Sequence, residues 1–110
     1  ANAELYGIVT LRELGLRLRP VDERLPYRVR PERGVFVEAV TPGSIADRAG
    51  LERGDVIIAV AGSPATTPAE LDRAVEAEDL RLRVPLEVVR GNQQGTLDLT
   101  SNPRRLTRMR

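Results

Sequence analysis

The stretch Pro42-Gly43-Ser44-Ile45-Ala46-Asp47-Arg48-Ala49-Gly50-Leu51-Glu52-Arg53-Gly54-Asp55-Val56-Ile57 decides the fold of this chain. Pro42-Gly43 is a turn pair. Ser44 is an N-cap residue, and Asp47 three positions later makes an acidic variant of the capping box, so a short helix starts here. Gly50 takes the left-handed conformation that closes a helix, and Leu51 then folds back onto its apolar side. Gly54-Asp55 turns the chain again, with the Asp55 carboxylate placed to accept hydrogen bonds from neighbouring loop amides. Val56-Ile57-Ile58-Ala59-Val60 follows as an apolar run of strand length.

Upstream of this stretch, Val35-Phe36-Val37-Glu38-Ala39-Val40 reads as a strand. Leu14, Leu16 and Leu18 alternate strictly, which predicts a strand with one apolar face, ended by Pro20. Residues 20–34 are rich in proline and charge and read as a solvated loop. Residues 1–13 form a lead-in arm, in which Tyr6 to Leu11 is either a short strand or irregular. Downstream, Ala61-Gly62 is a tight turn. Thr67-Pro68-Ala69-Glu70 combines a cap, a proline at the first helical position and the closing acid of a capping box. The helix it starts is expected to run to about Glu78, with Leu71, Ala74 and Val75 as its apolar stripe. Val84–Arg90 and Gly95–Thr100 flank Gly91-Asn92-Gln93-Gln94 as a hairpin. Residues 101–110 carry no core pattern and form a basic, mobile tail.

The 110 residues suit one domain. Only Tyr6, Tyr27 and Phe36 are aromatic, so the core has to be aliphatic. Every one of the 17 basic residues is arginine, and four of them fall in the tail; residues 1–100 therefore carry a formal charge of −3. That balance excludes a globally basic nucleic-acid footprint. The four arginines of the tail could give only weak, salt-sensitive attraction. No apolar run approaches the ~20 residues that span a bilayer. Ala1 to Tyr6 lacks the regions of a signal peptide, so an exported parent carries its signal upstream.

The chain contains no histidine, cysteine or lysine. A Ser-His-Asp triad, a cysteine nucleophile, a serine–lysine dyad and a thiolate or imidazole metal site are all excluded within it. Ser44, Ser63 and Ser101 have no base, and Glu76 and Glu78 read as a solvated helix end. No catalytic residue, metal ligand or cofactor is assigned.

The order of elements, together with the motif from Pro42 to Ile57, resembles the PDZ domains of bacterial HtrA-family (DegP-like) serine proteases. The resemblance covers residues 14–100 and continues through Ala61-Gly62-Ser63-Pro64 and the Thr67-capped helix to the last hairpin. It implies an α+β fold: a small, curled antiparallel sheet or open barrel capped by two helices, in the bacterial, permuted strand order. It also implies function. Such domains bind peptides by strand addition, with the ligand's C-terminal carboxylate in a cradle of backbone N–H groups. Leu14-Gly15-Leu16 matches the apolar-glycine-apolar cradle, where Gly15 lets backbone approach without a Cβ. Arg17 and Leu18 would continue the ladder to the peptide. Asp72, Val75 and Glu76 would form the opposite wall, while Leu71 and Ala74 face the core.

By alternation alone Leu14, Leu16 and Leu18 are one side of a half-buried strand, Val75 is core and Asp72 a solvated charge; the resemblance adds the second role. Leu14, Leu16 and Val75 would line the pocket for the last side chain, so an apolar last residue of the ligand is expected, with Asp72 attracting a basic or hydroxyl side chain two residues before it. The implied partners are C-terminal or extended segments of other proteins and an adjoining protease domain. Nucleic acid is not expected, and membrane contact arises only through the parent protein. The implied setting is the periplasm or cell envelope. A PDZ domain of a site-2 metalloprotease, a tail-specific protease or a secretion protein, serving as an assembly contact, is the alternative.

Overall fold

The structure, a computed structural model, describes residues 9–21 and 33–101. The predicted loop therefore lies mostly, and the tail almost wholly, outside the described residues. The elements in chain order are β1 (Val9–Leu11), β2 (Leu16–Pro20), β3 (Val35–Val40), α1 (Ile45–Ala49), β4 (Val56–Val60), β5 (Ser63–Pro64), α2 (Pro68–Glu76), β6 (Val84–Arg90) and β7 (Gln93–Leu99). All strand pairings are antiparallel, in the order β1-β2-β3-β4-β6-β7, with β5 hydrogen-bonded to β4 beside that path. This is an open antiparallel sheet with two helices, the architecture that the resemblance implied.

The punctuation of the central motif acts as its residue types require. Thr41 to Ser44 closes a turn, with the Ser44 N–H donating to the Thr41 carbonyl at 3.2 Å and Gly43 at φ 78°. Ser44 Oγ accepts the Asp47 N–H, and Asp47 reaches back to the Gly43 N–H at 2.8 Å, one residue before the cap. At the other end Gly50 sits at φ 96°, and the Leu51 N–H donates to the Ala46 carbonyl. These bonds satisfy the orphan carbonyls of a helix only five residues long.

α2 carries the full capping box: the Thr67 side chain accepts the Glu70 N–H at 3.1 Å, and Glu70 Oε1 accepts the Thr67 N–H at 3.1 Å. It ends at Glu76, with Ala77 as C-cap, two residues short of the expected end. The last hairpin is tighter than predicted. Arg90 pairs directly with Gln93, leaving only Gly91-Asn92 as the loop, with Gly91 at φ 61°. A glycine at the first central position is what a two-residue II′ turn needs.

The core is aliphatic. Leu14, Leu16, Leu18, Val35, Val37, Ile57, Leu71, Val75, Val84, Leu86 and Leu99 belong to one buried cluster. A register shift between Arg17 and Leu18 skips Glu38 on β3, so the alternation of β3 is interrupted while that of β2 runs on. Along β2, Leu16 and Leu18 share the core face, and Arg19 lies on the other face, opposite Phe36. Asp55 is 1% exposed and is held by a pair of bonds from Arg90, Nε to Oδ1 at 2.7 Å and Nη2 to Oδ2 at 2.8 Å. Arg90 Nη2 also donates to the Gly50 carbonyl at 2.7 Å, so one guanidinium ties the end of β6 to the cap of α1 and the start of β4. Its pKa is pushed further up by the hydrogen bonds to Asp55.

Candidate functional site

Between the turn that leads into β2 and the C-terminal half of α2 lies a cavity of 820 Å³. Leu14 lines it from the sheet side; Asp72, Val75 and Glu76 line it from α2. Residues separated by more than fifty positions are thus brought together. The reason is local on each side. The Thr67 cap and Pro68 fix where α2 starts, and its stripe buries Leu71 (0% exposed) and Val75 (5% exposed) against the sheet. Asp72 and Glu76, on the flank of that stripe, are left at the cavity. Ala74 packs against the core as a half-buried residue.

The other candidate residues sit on β2 and the turn before it. Leu16 and Leu18 are buried in the core cluster, Arg17 is exposed and Gly15 is buried. None of these four lines the cavity wall. The Leu14-Gly15 backbone is held at all four of its polar groups. The Leu14 carbonyl accepts the Ala46 N–H from the first turn of α1 at 2.9 Å, and the Gly15 carbonyl accepts the Thr41 N–H at 2.8 Å. The Leu14 N–H donates to the Leu11 carbonyl at 3.2 Å, and the Gly15 N–H to the same carbonyl at 3.0 Å and to the Arg12 carbonyl at 3.2 Å. Gly15 is at φ 78°, and a Cβ there would overlap the Cβ and Oγ of Ser44. The close approach that demands glycine is therefore to the cap of α1.

Leu11, Arg12, Glu13 and Leu80 also line the cavity, and the sequence reading missed them. Leu11 was placed in the lead-in arm, in the stretch read as either a short strand or irregular; it ends β1, which pairs with β2 with Leu11 opposite Leu16. The available signal was the run Val9-Thr10-Leu11, a strand-type triplet followed by a four-residue gap before β2. Asp79 and Arg81 close the far end of the cavity, joined to each other by an ion pair at 3.0 Å. The Arg81 hydrogen bonds hold the Asp79 carboxyl below its ordinary value. Among the described residues no group of three or more Asp, Glu, His or Cys side chains is arranged to hold a metal ion. No helix among them is long and apolar enough to cross a membrane.

A small open antiparallel sheet with two helices, and a cavity between the turn before β2 and α2, is the frame in which the chain is compared with known domains. Comparison with known proteins makes the assignment specific. A family model described as the PDZ domain matches residues 36–90. The chain is 40% identical over 72 residues to the putative serine protease HhoA of Synechocystis sp., covering 66% of this chain and 18% of that protein. It is 32% identical over 96 residues to the periplasmic serine endoprotease DegP of Escherichia coli, covering 86% of this chain and 20% of that protein. The crystal structure of the HtrA3 PDZ domain bound to a phage-derived ligand, FGRWV, superposes with a TM-score of 0.68 at 32% identity, over 79% of this chain and 82% of that one.

The chain belongs to the PDZ domain family, and its curated relatives include HtrA/DegP-type serine proteases. It spans about a fifth of the length of those relatives.

Proposed function

We propose that this PDZ domain takes the exposed C-terminus or an extended segment of another protein into the groove between β2 and α2. It thereby serves as the substrate-recognition or regulatory module of a trypsin-like serine protease in the bacterial periplasm or envelope. The observation that carries the reading is the convergence of Leu14 with Asp72, Val75 and Glu76 on one cavity. Leu14-Gly15-Leu16 supplies the N–H donors for a terminal carboxylate, and Leu14 and Val75 supply apolar surface for the last side chain. Arg17 and Leu18 carry the ladder onward. Asp72 and Glu76 favour a basic or hydroxyl side chain upstream of the peptide end. The ligand of the HtrA3 PDZ domain ends in valine, which supports an apolar last residue here. The hydrolytic step belongs to an adjoining domain, because this chain supplies no histidine, cysteine or lysine.

The test is a titration of the 110-residue chain with a labelled decapeptide ending in valine, with a free or an amidated C-terminus. The free acid is expected to bind at least about tenfold tighter, the worth of a charge-assisted hydrogen bond. Equal affinity of the two forms would remove the carboxylate cradle. In the same assay Asp72→Ala is expected to flatten the preference for a basic residue two positions before the end; an unchanged preference ends that role for Asp72.

A further inference from the structure

The edge of β2 that a ligand strand would join is already taken. β3 pairs with one edge of β2, and β1 pairs with the other, with Val9 opposite Leu18, Thr10 opposite Arg17 and Leu11 opposite Leu16. β1 approaches the glycine turn with its C-terminal end first, the direction in which a peptide C-terminus has to enter. The Leu11 carbonyl receives the Leu14 and Gly15 N–H groups, the first two donors of the proposed carboxylate cradle. The Leu11 side chain packs against the core cluster and lines the same cavity as Leu14, Val75 and Leu80. In direction, carbonyl position and side-chain site, Leu11 does what the last residue of an added peptide would do.

We infer that β1 is a resident pseudo-ligand, and that a peptide joins β2 by displacing Val9–Leu11 rather than by filling an open edge. This rests on the groove being the peptide site. Each backbone N–H is a single donor, so the Leu14 and Gly15 amides cannot serve Leu11 and an incoming carboxylate together at full strength. β1 is only three residues long and lies at the end of the sheet, so few bonds have to break to release it. The apparent affinity for any peptide is then the intrinsic affinity reduced by the fraction of molecules with β1 displaced. Events that move the chain on the N-terminal side of the glycine turn reach the groove directly.

The test is the full chain carrying Thr10→Cys and Arg17→Cys. These positions face each other across β1 and β2, and the protein has no other cysteine, so one disulfide can form. Directly opposed antiparallel residues are roughly 4.5–5.5 Å apart at Cα, within disulfide reach. Oxidised and reduced forms of this one variant are compared, so the loss of Arg17 itself cancels. Without ligand, oxidation is expected to slow hydrogen exchange at the Leu14 and Gly15 amides by about tenfold more than at Val88 in β6, because local opening is suppressed. With the free-acid decapeptide ending in valine, the oxidised form is expected to bind at least about tenfold more weakly than the reduced form. Unchanged exchange at both amides, or equal peptide affinity of the two forms, overturns the inference. Slowed exchange with no peptide bound by either form supports a displaceable β1 and places the failure in the peptide reading instead.

Discussion

Gly15 and Gly43 share φ 78° but differ in what surrounds them. A Cβ at Gly43 meets nothing within 4 Å, whereas one at Gly15 overlaps Ser44. Gly43→Ala is therefore expected to cost only the left-handed strain, about 1 kcal/mol. Gly15→Ala adds overpacking and is expected to cost about 2–4 kcal/mol in urea unfolding. Equal losses at the two sites would mean that the turn before β2 shifts freely, which its bonds to Ala46 and Thr41 argue against. Arg90 presents the complementary case. Removing it leaves the buried Asp55 carboxylate with the Glu52 N–H at 2.9 Å and without either bond from the guanidinium. Arg90→Ala is expected to cost about 2–3 kcal/mol, below the full value for a buried pair because about half of the Arg90 side chain is exposed. Arg90→Lys should recover only part of that, since an ammonium cannot make the paired bonds. A loss under about 0.5 kcal/mol for Arg90→Ala would place the pair among surface ion pairs.

At the scale of elements, α2 matters most, because its start and stripe decide which residues reach the groove. Glu70 accepts from the Thr66 hydroxyl at 2.6 Å and from the Thr66 and Thr67 N–H groups. The Thr66 bonds, first of all, lower its pKa from the ordinary 4.5. A carboxylate with a depressed folded pKa contributes stability that is present above its unfolded value and is lost as pH falls through the folded one. The difference in thermal midpoint between the wild type and Glu70→Ala is therefore expected to hold steady from neutral pH down to about 4.5 and then to shrink. A difference that stays constant below that point would show that ionisation of Glu70 plays no part in the cap. The hairpin ends obey the same local logic. Ala61, at φ 48°, shares a two-residue turn with Gly62, whose flanking residues Val60 and Ser63 pair directly.

For the whole molecule, chemistry and architecture point the same way. The chain has no histidine, cysteine or lysine, and the polar side chains described above serve caps and the Asp55–Arg90 and Asp79–Arg81 ties. Incubation of the 110-residue chain with unfolded casein is expected to leave the casein uncut; proteolysis that scales with chain concentration and survives repurification would overturn that expectation. The sheet is open at β1 and β7, and β1 holds the edge that the proposed ligand needs. The proposed binding and the integrity of the sheet are therefore linked.

The sequence by itself determined the local backbone. Pro42-Gly43, Ser44, Gly50, Gly54 and the Thr67–Glu70 box each stand where a turn, cap or helix end was expected, because their conformational limits act within a few residues. It also determined the aliphatic core of β2, β3, β4 and α2, through alternation and helical spacing. The tertiary structure decided what pairs across distance. Spacing cannot say which of two strands claims the free edge of β2, because β1 and an added peptide offer that edge the same backbone groups. The skip at Glu38, which interrupts the alternation of β3, depends on how β2 and β3 register against one another. The Asp55–Arg90 tie joins residues 35 positions apart and follows from β6 lying beside β4. Alternation made Leu14 part of the strand; that Leu14 and Gly15 form a turn before β2, and that their N–H groups already hold the Leu11 carbonyl, was not legible.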